Sequence, residues 1–314
     1  MSPALPTNTS SKFTPFSLTL LNGATTTGIS HIPTHSPTAP SSRPLLIGVH
    51  GGTCTAHNFD INPSYTASIA SQALGVPFVA FNRPSYSDSS PLILEKDSSF
   101  HRETGRWEHE YILPALWEKF GVPNHCTGVV LLCHSMAVPG AIVAASLWAL
   151  DTNKPYPLAG LILSGWGTTP KVQQGMELPP PTVEFWKAPT QGKVLMMLGE
   201  AKDKSFDPEI LAFIEPLNVP MPLAEGVDGR IAWWEYGPGY AKEINVPIMY
   251  AMGECDWLWE GSKKYVKAYE EWFPKCPRFD GSTVLGAPHA LEWSRVCQGW
   301  YVRCFGWALE VCGL

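Results

Sequence analysis

The sequence predicts an α/β protein, with a mostly parallel central sheet flanked by helices and interrupted by one long inserted segment. Three observations predict it. Short apolar runs of β-forming residues alternate with amphipathic stretches, the pattern of βαβ units. Several of these runs stop abruptly on small or polar residues, at His50-Gly51-Gly52-Thr53, Asn82-Arg83-Pro84, Cys133-His134-Ser135-Met136 and Gly253-Glu254-Cys255-Asp256. The alternation also fails between about residues 167 and 243 and then resumes.

Taken in order, Phe16 to Leu21 and Thr26 to Ile32 read as two strands joined at Asn22-Gly23, a favoured hairpin turn. A loop rich in Pro and Ser follows from Thr34 to Arg43. Leu45 to Val49 and Pro77 to Phe81 read as buried strands, and about Phe100 to Phe120 has helical periodicity. Gly128 to Leu132 is a further strand, followed by the Ser135 turn and an apolar helix to about Leu150; Leu158 to Ser164 is the next strand. The segment that breaks the pattern is dense in Pro, Met and aromatic residues, among them Pro179-Pro180-Pro181, Phe185-Trp186, Met196-Met197 and Trp233-Trp234. It offers two short helices, near Pro181 to Met197 and Asp207 to Glu215, and no strand. Then come a strand at Val246 to Met252, a helix near Ser262 to Phe273, a strand near Ser282 to Leu285, and a helix from about Leu291 to Leu309. The expected organisation is a core first part (1–166), an inserted lid (167–243) and a core second part (244–314).

Composition excludes several classes. With 22 Lys and Arg among 314 residues, and a formal charge of −6, the chain lacks a nucleic-acid-binding surface. No apolar run approaches the roughly 18 residues of a membrane span. The stretch MSPALPTNTSSKF has no basic start or apolar core, so no signal peptide is expected, and the Asn8-Thr9-Ser10 sequon is expected to be silent. The eight cysteines are scattered without CxxC pairs, which predicts buried free thiols in a reducing, cytoplasmic setting. No nucleotide or metal motif occurs, so no cofactor and no metal are expected.

Ser135 follows an apolar strand and precedes a helix, the setting of a nucleophile elbow. There a hydroxyl is exposed at a sharp turn, with the free N–H groups of the next helix behind it. The usual flanking glycines are replaced by Cys133 and Ala137, which are still small. In this order of elements the chain resembles the α/β-hydrolase superfamily, in its lid-bearing esterase, lipase and lactonase-like branch. The resemblance rests on His50-Gly51-Gly52-Thr53, Asn82-Arg83-Pro84, His134-Ser135-Met136, Gly253-x-x-Asp256 and Pro288-His289, and runs from about Phe16 to the last helix.

The resemblance implies a Ser135, Asp256, His289 triad, with Glu254 as the alternative acid. It implies oxyanion donors on the N–H of Met136 and of Gly52, with Thr53 as the alternative to Gly52. His50 is expected to shape that loop rather than act as a base. A serine at the elbow, where epoxide hydrolases and haloalkane dehalogenases carry aspartate, points away from both.

The aromatic insert predicts an apolar cavity over the C-terminal edge of the sheet. Trp186, Trp233 and Trp257 are the candidate substrate-binding residues, although such residues equally well glue a lid to a core. Arg230 and Lys187 are the candidate polar anchors. The expected partner is a small hydrophobic substrate, and the expected state a monomer or homodimer. The expected activity is a serine hydrolase acting on an ester, lactone or thioester through an acyl-enzyme, and the chain also resembles tailoring hydrolases of microbial secondary metabolism. Two alternatives stay open: non-hydrolytic chemistry on the same triad, and a non-enzymatic ligand receptor.

Overall fold

The computed structural model describes residues 11–34, 42–96, 98–171, 183–200 and 205–313. The sequon, most of the Pro- and Ser-rich loop and Pro179-Pro180-Pro181 lie outside the described residues. Eight strands form one sheet: β1 (Thr14–Thr19), β2 (Thr25–His31), β3 (Pro44–Val49), β4 (Phe78–Phe81), β5 (Gly128–His134), β6 (Leu158–Ser164), β7 (Ile248–Gly253) and β8 (Phe279–Val284). Their spatial order is β1-β2-β4-β3-β5-β6-β7-β8. β2 runs antiparallel to β1 and to β4, and every other pairing is parallel.

The sequence explains the layering. β3, β5 and β7 are buried at every position, because helices cover both faces of the parallel part. β1 lies at an edge and leaves most of its side chains exposed. The turn between β1 and β2 puts Gly23 at φ 81°, in the left-handed region that glycine enters without strain. Gly253, which ends β7, admits no side chain, since a Cβ there would lie 2.2 Å from the carbonyl oxygen of Pro288.

The expected strands match observed ones with ends shifted by a few residues. The helical stretch at 100–121 is built of α turns at Phe100–Trp107 and Leu113–Leu116, alternating with wider π turns at Glu108–Ile112 and Trp117–Gly121. Ser68–Leu74, a short helix between β3 and β4, adds to the expected elements. The closing helix starts later than expected, at Cys297, after a single 3₁₀ turn at Leu291–Trp293.

Between β6 and β7 the chain leaves the sheet. This excursion contains the helices Thr190–Leu198 and Leu211–Ile214, both near expected positions, and two further helices, Leu223–Arg230 and Trp233–Ala241. It also holds a two-residue strand pair, Phe185–Trp186 with Met221–Pro222, where no strand was expected. All eight cysteines are free thiols. Among the described residues no helix is long and apolar enough to cross a membrane.

Candidate active site

β5 delivers Ser135 to the C-terminal edge of the sheet. The residue sits at φ 54°, a left-handed conformation that costs a side-chain-bearing residue of order 1–3 kcal/mol and is typical of strained functional turns. Its backbone N–H donates to the carbonyl of Ser164 at 2.8 Å, tying the turn to the end of β6. The helix Ala137–Leu150 begins immediately behind it. Cys133 and Ala137 are both fully buried, as the tight strand-to-helix passage requires.

Ser135 Oγ lies 2.9 Å from His289 Nε2, and His289 Nδ1 lies 2.8 Å from Asp256 Oδ2. The carboxylate fixes the tautomer: Nδ1 carries the hydrogen and donates it to Asp256, which leaves Nε2 to accept from the serine hydroxyl. Asp256 Oδ1 accepts the N–H groups of Leu258 at 2.8 Å and Trp259 at 3.0 Å, so the carboxylate is held by its own loop while it orients His289. Asp256 and His289 are buried, and Ser135 keeps 8% of its surface exposed. The alternative acid is placed elsewhere. Glu254 is exposed, and its Oε2 accepts the N–H of Gly286 at 2.8 Å.

Behind the triad lies a second histidine. His134 is fully buried, with its ring 4.8 Å from that of His289 and its Nδ1 3.2 Å from Ser164 Oγ. Burial, then the neighbouring His289 and Lys193, push its pKa well below the usual histidine range, so the ring is neutral. Gly165 makes this close approach of the two rings fit. It has φ 63°, and a Cβ there would stand 2.7 Å from His134 Cε1 and 3.0 Å from His289 Cε1. Nothing in the sequence singles Gly165 out except its place one residue past a strand.

The loop after β3 faces Ser135 from the other side. A Cβ on Gly51 would lie 3.0 Å from Ser135 Cβ, and one on Gly52 would lie 3.1 Å from Met136 Cγ, so both glycines permit close approach. His50 donates from Nδ1 to the Gly51 carbonyl at 2.8 Å and accepts the Arg83 N–H on Nε2 at 3.1 Å. Burial, followed by the Arg83 charge, depresses its pKa well below the histidine range. Its two hydrogen bonds link the loop after β3 to that after β4.

A cavity of about 420 Å³ opens over this constellation. Ser135, His289, Gly52, Thr53 and Met136 form its floor; Trp166, Trp186, Trp234, Trp259 and Leu258, together with Met196, Met197 and Met221, form its walls. Of the three tryptophans expected to bind substrate, Trp186 is in the wall, and Trp233 and Trp257 are not. Trp233 is fully buried and packs edge-on against Tyr236 at 5.4 Å, and its neighbour Trp234 faces the cavity instead. Successive helical residues point about 100° apart, so only one of the pair can face a given side. Leu258 and Trp259 take the place expected of Trp257. Arg230 and Lys171 reach the cavity, whereas Lys187 pairs with Glu215 at 2.6 Å on the surface and does not.

No protein-family model matches the sequence, and no curated protein matches it. Solved structures do. The chain is similar to a thermophilic esterase from Thermogutta terrifontis at TM-score 0.60 and 13% identity, over 95% of this chain and 99% of the other. It is similar to a putative lipase from Acinetobacter baumannii AYE at TM-score 0.58 and 16% identity, over 96% and 92%. It is also similar to an epoxide hydrolase from Vigna radiata at TM-score 0.57 and 11% identity, over 95% and 98%.

Proposed function

We propose that this chain, which has the α/β-hydrolase fold, is a serine hydrolase cleaving an ester-type bond of a small hydrophobic molecule through an acyl-enzyme on Ser135. The observation that carries this reading is the unbroken hydrogen-bonded line from Ser135 Oγ through His289 to Asp256 at the floor of an apolar cavity.

His289 Nε2 takes the proton of Ser135 as Oγ attacks the carbonyl carbon, and Asp256 stabilises the imidazolium so formed. The carbonyl oxygen becomes an oxyanion facing the N–H groups of Met136 and of Gly52 or Thr53, beside the helix N-terminus. His289 then returns the proton to the leaving oxygen or sulfur. Water, deprotonated by the same nitrogen, releases the acyl group from Ser135. The excursion 167–243 acts as a cap that roofs the cavity, and its indole and thioether walls favour an apolar acyl or alcohol portion. A bulky hydrophobic ester, lactone or thioester fits these walls better than a sugar or a peptide.

The test is direct. A fluorophosphonate probe labels the folded wild type on Ser135 and leaves Ser135→Ala unlabelled. Folded wild type that resists the probe and hydrolyses no activated ester would end the serine-hydrolase reading.

A further inference from the structure

Lys193 is fully buried, and it belongs to the helix Thr190–Leu198 in the excursion between β6 and β7. Its ammonium donates to the Thr53 carbonyl oxygen and to Thr53 Oγ1, each at 2.7 Å, and lies 3.1 Å from Cys54 Sγ. Three donors thus meet three acceptors, all on two consecutive residues of the loop after β3. No carboxylate among the described residues forms an ion pair with it. A buried cation with no carboxylate beside it, only the Trp293 ring 5.5 Å away, is costly, and an aliphatic side chain would pack there more cheaply. What it holds is unusual too: Thr53 sits at φ 55°, a conformation that side-chain-bearing residues rarely adopt. The same Thr53 carbonyl also accepts the Val219 N–H at 3.0 Å, again from the excursion. Gly52 and Thr53 line the cavity beside Ser135 while Lys193 does not, so the clamp holds a loop that faces the cavity without itself entering it.

We infer that Lys193 is the positioning residue of the oxyanion loop. It holds the Gly52–Thr53 backbone, with Thr53 in its left-handed conformation, so that the N–H groups of the loop are presented to the substrate carbonyl, and it places a buried cation against that loop. This rests on the serine-hydrolase reading for its chemistry, though not for the loop geometry. A fixed cation and fixed dipoles at a developing negative charge act selectively on the transition state. The loss on removing Lys193 should therefore fall on kcat and spare KM.

The experiment compares the full-length wild type with Lys193→Met, using p-nitrophenyl butyrate as substrate and two inhibitors of matched shape. A trifluoromethyl ketone adds to Ser135 as a tetrahedral oxyanion, whereas its methyl ketone counterpart binds as a neutral ground state. Lys193→Met should lower kcat about 10- to 100-fold with KM changed less than about threefold. It should weaken the trifluoromethyl ketone by a similar factor and leave the methyl ketone unchanged. Should Lys193→Met not fold, Thr53→Val keeps the ammonium but removes one of its acceptors, and should lose about three- to tenfold in the same two readouts. A kcat within about twofold of wild type, or equal weakening of both ketones, overturns the inference. Wild type that neither hydrolyses the ester nor adds the trifluoromethyl ketone sinks the serine-hydrolase reading instead. Amide hydrogen exchange over residues 51–55 then judges the clamp alone: faster exchange in Lys193→Met upholds it, and unchanged exchange overturns it.

Discussion

Gly165 has no polar side chain, yet it decides whether His289 can stand where it does. Gly165→Ala places a methyl group against both His134 and His289. On the proposed mechanism, displacing the His289 imidazole by a fraction of an ångström is expected to lower kcat about 10- to 100-fold. Gly75 supplies the control. It has φ 67°, close to that of Gly165, but a Cβ there meets nothing within 4 Å. Gly75→Ala should cost about 1 kcal/mol of stability and leave the rate alone. Steady-state kinetics and thermal melts of the two variants separate backbone strain from displacement of the histidine. A second residue-scale prediction concerns Glu108, which is buried without a hydrogen-bond partner on either oxygen. Burial raises its pKa to about 8 against the opposing pull of Arg83, so the folded protein holds a proton there that the unfolded chain, near 4.5, releases at neutral pH. Protonation is linked to folding, so stability is fullest below pH 4.5 and declines as pH rises toward 8, by at most about 1.4 kcal/mol per pH unit. Melts of Glu108→Gln and wild type from pH 5 to 8 should diverge, with the variant gaining on the wild type as pH rises. Parallel curves would show that the carboxyl is ionised throughout.

At the scale of elements, the loop after β4 and the helix Leu223–Arg230 are joined by a buried cluster in which Glu225 accepts from both Arg83 and Tyr86. Removing one member of a buried pair strands the other. Glu225→Leu alone should destabilise the chain by about 3–5 kcal/mol, and Arg83→Met with Glu225→Leu by clearly less. Denaturant midpoints of the single and double variants check this; additive losses would mean the pair is not coupled. The same helix marks the limit of what the sequence discloses. The sheet strands are legible because runs such as Leu45 to Val49 are apolar throughout and end on turn residues. The triad is legible because its members fall at strand ends in a fixed order. The helices Leu223–Arg230 and Trp233–Ala241 are not. The first carries Gly226 and Gly229, and the second Gly237, Pro238 and Gly239, residues that disfavour helix on their own. Packing overrides that preference. At Gly237 a Cβ would strike the Trp233 ring at 2.6 Å, so the glycine is there for fit. Lys193 and Gly165 escape sequence reading for a related reason: their partners are distant in the chain, and neither stands in a recognisable pattern.

At the scale of the whole molecule, the cavity is shared between the ends of the sheet strands and the excursion 167–243. The former hold Ser135 and His289, the latter Trp186 and Trp234. Trp166, Leu258 and Trp259 join the walls from outside the excursion, so the two parts of the chain meet around the same space. Trp234→Ala removes an indole from the wall while leaving the triad untouched. It should shift the preferred p-nitrophenyl ester toward longer or bulkier acyl groups, with the kcat for the smallest ester changed less than about threefold. An unchanged acyl preference would mean that substrate does not reach this wall.

β6 and β7 are parallel neighbours, in register from Leu161 beside Ile248 to Ser164 beside Ala251, although the whole excursion intervenes between them in the chain. The sheet therefore closes independently of whatever is threaded between these two strands. For a flexible connection, each doubling in length adds only about 0.6 kcal/mol to the cost of closure. An excursion that starts and ends at adjacent points can be lengthened, trimmed or exchanged without moving the strands that carry the triad. The clamp from Lys193 to Thr53 and the cluster at Glu225 are then the fittings any replacement must reproduce. The freedom of the segment is therefore bounded at two points, where a lysine and a glutamate must arrive as these two do.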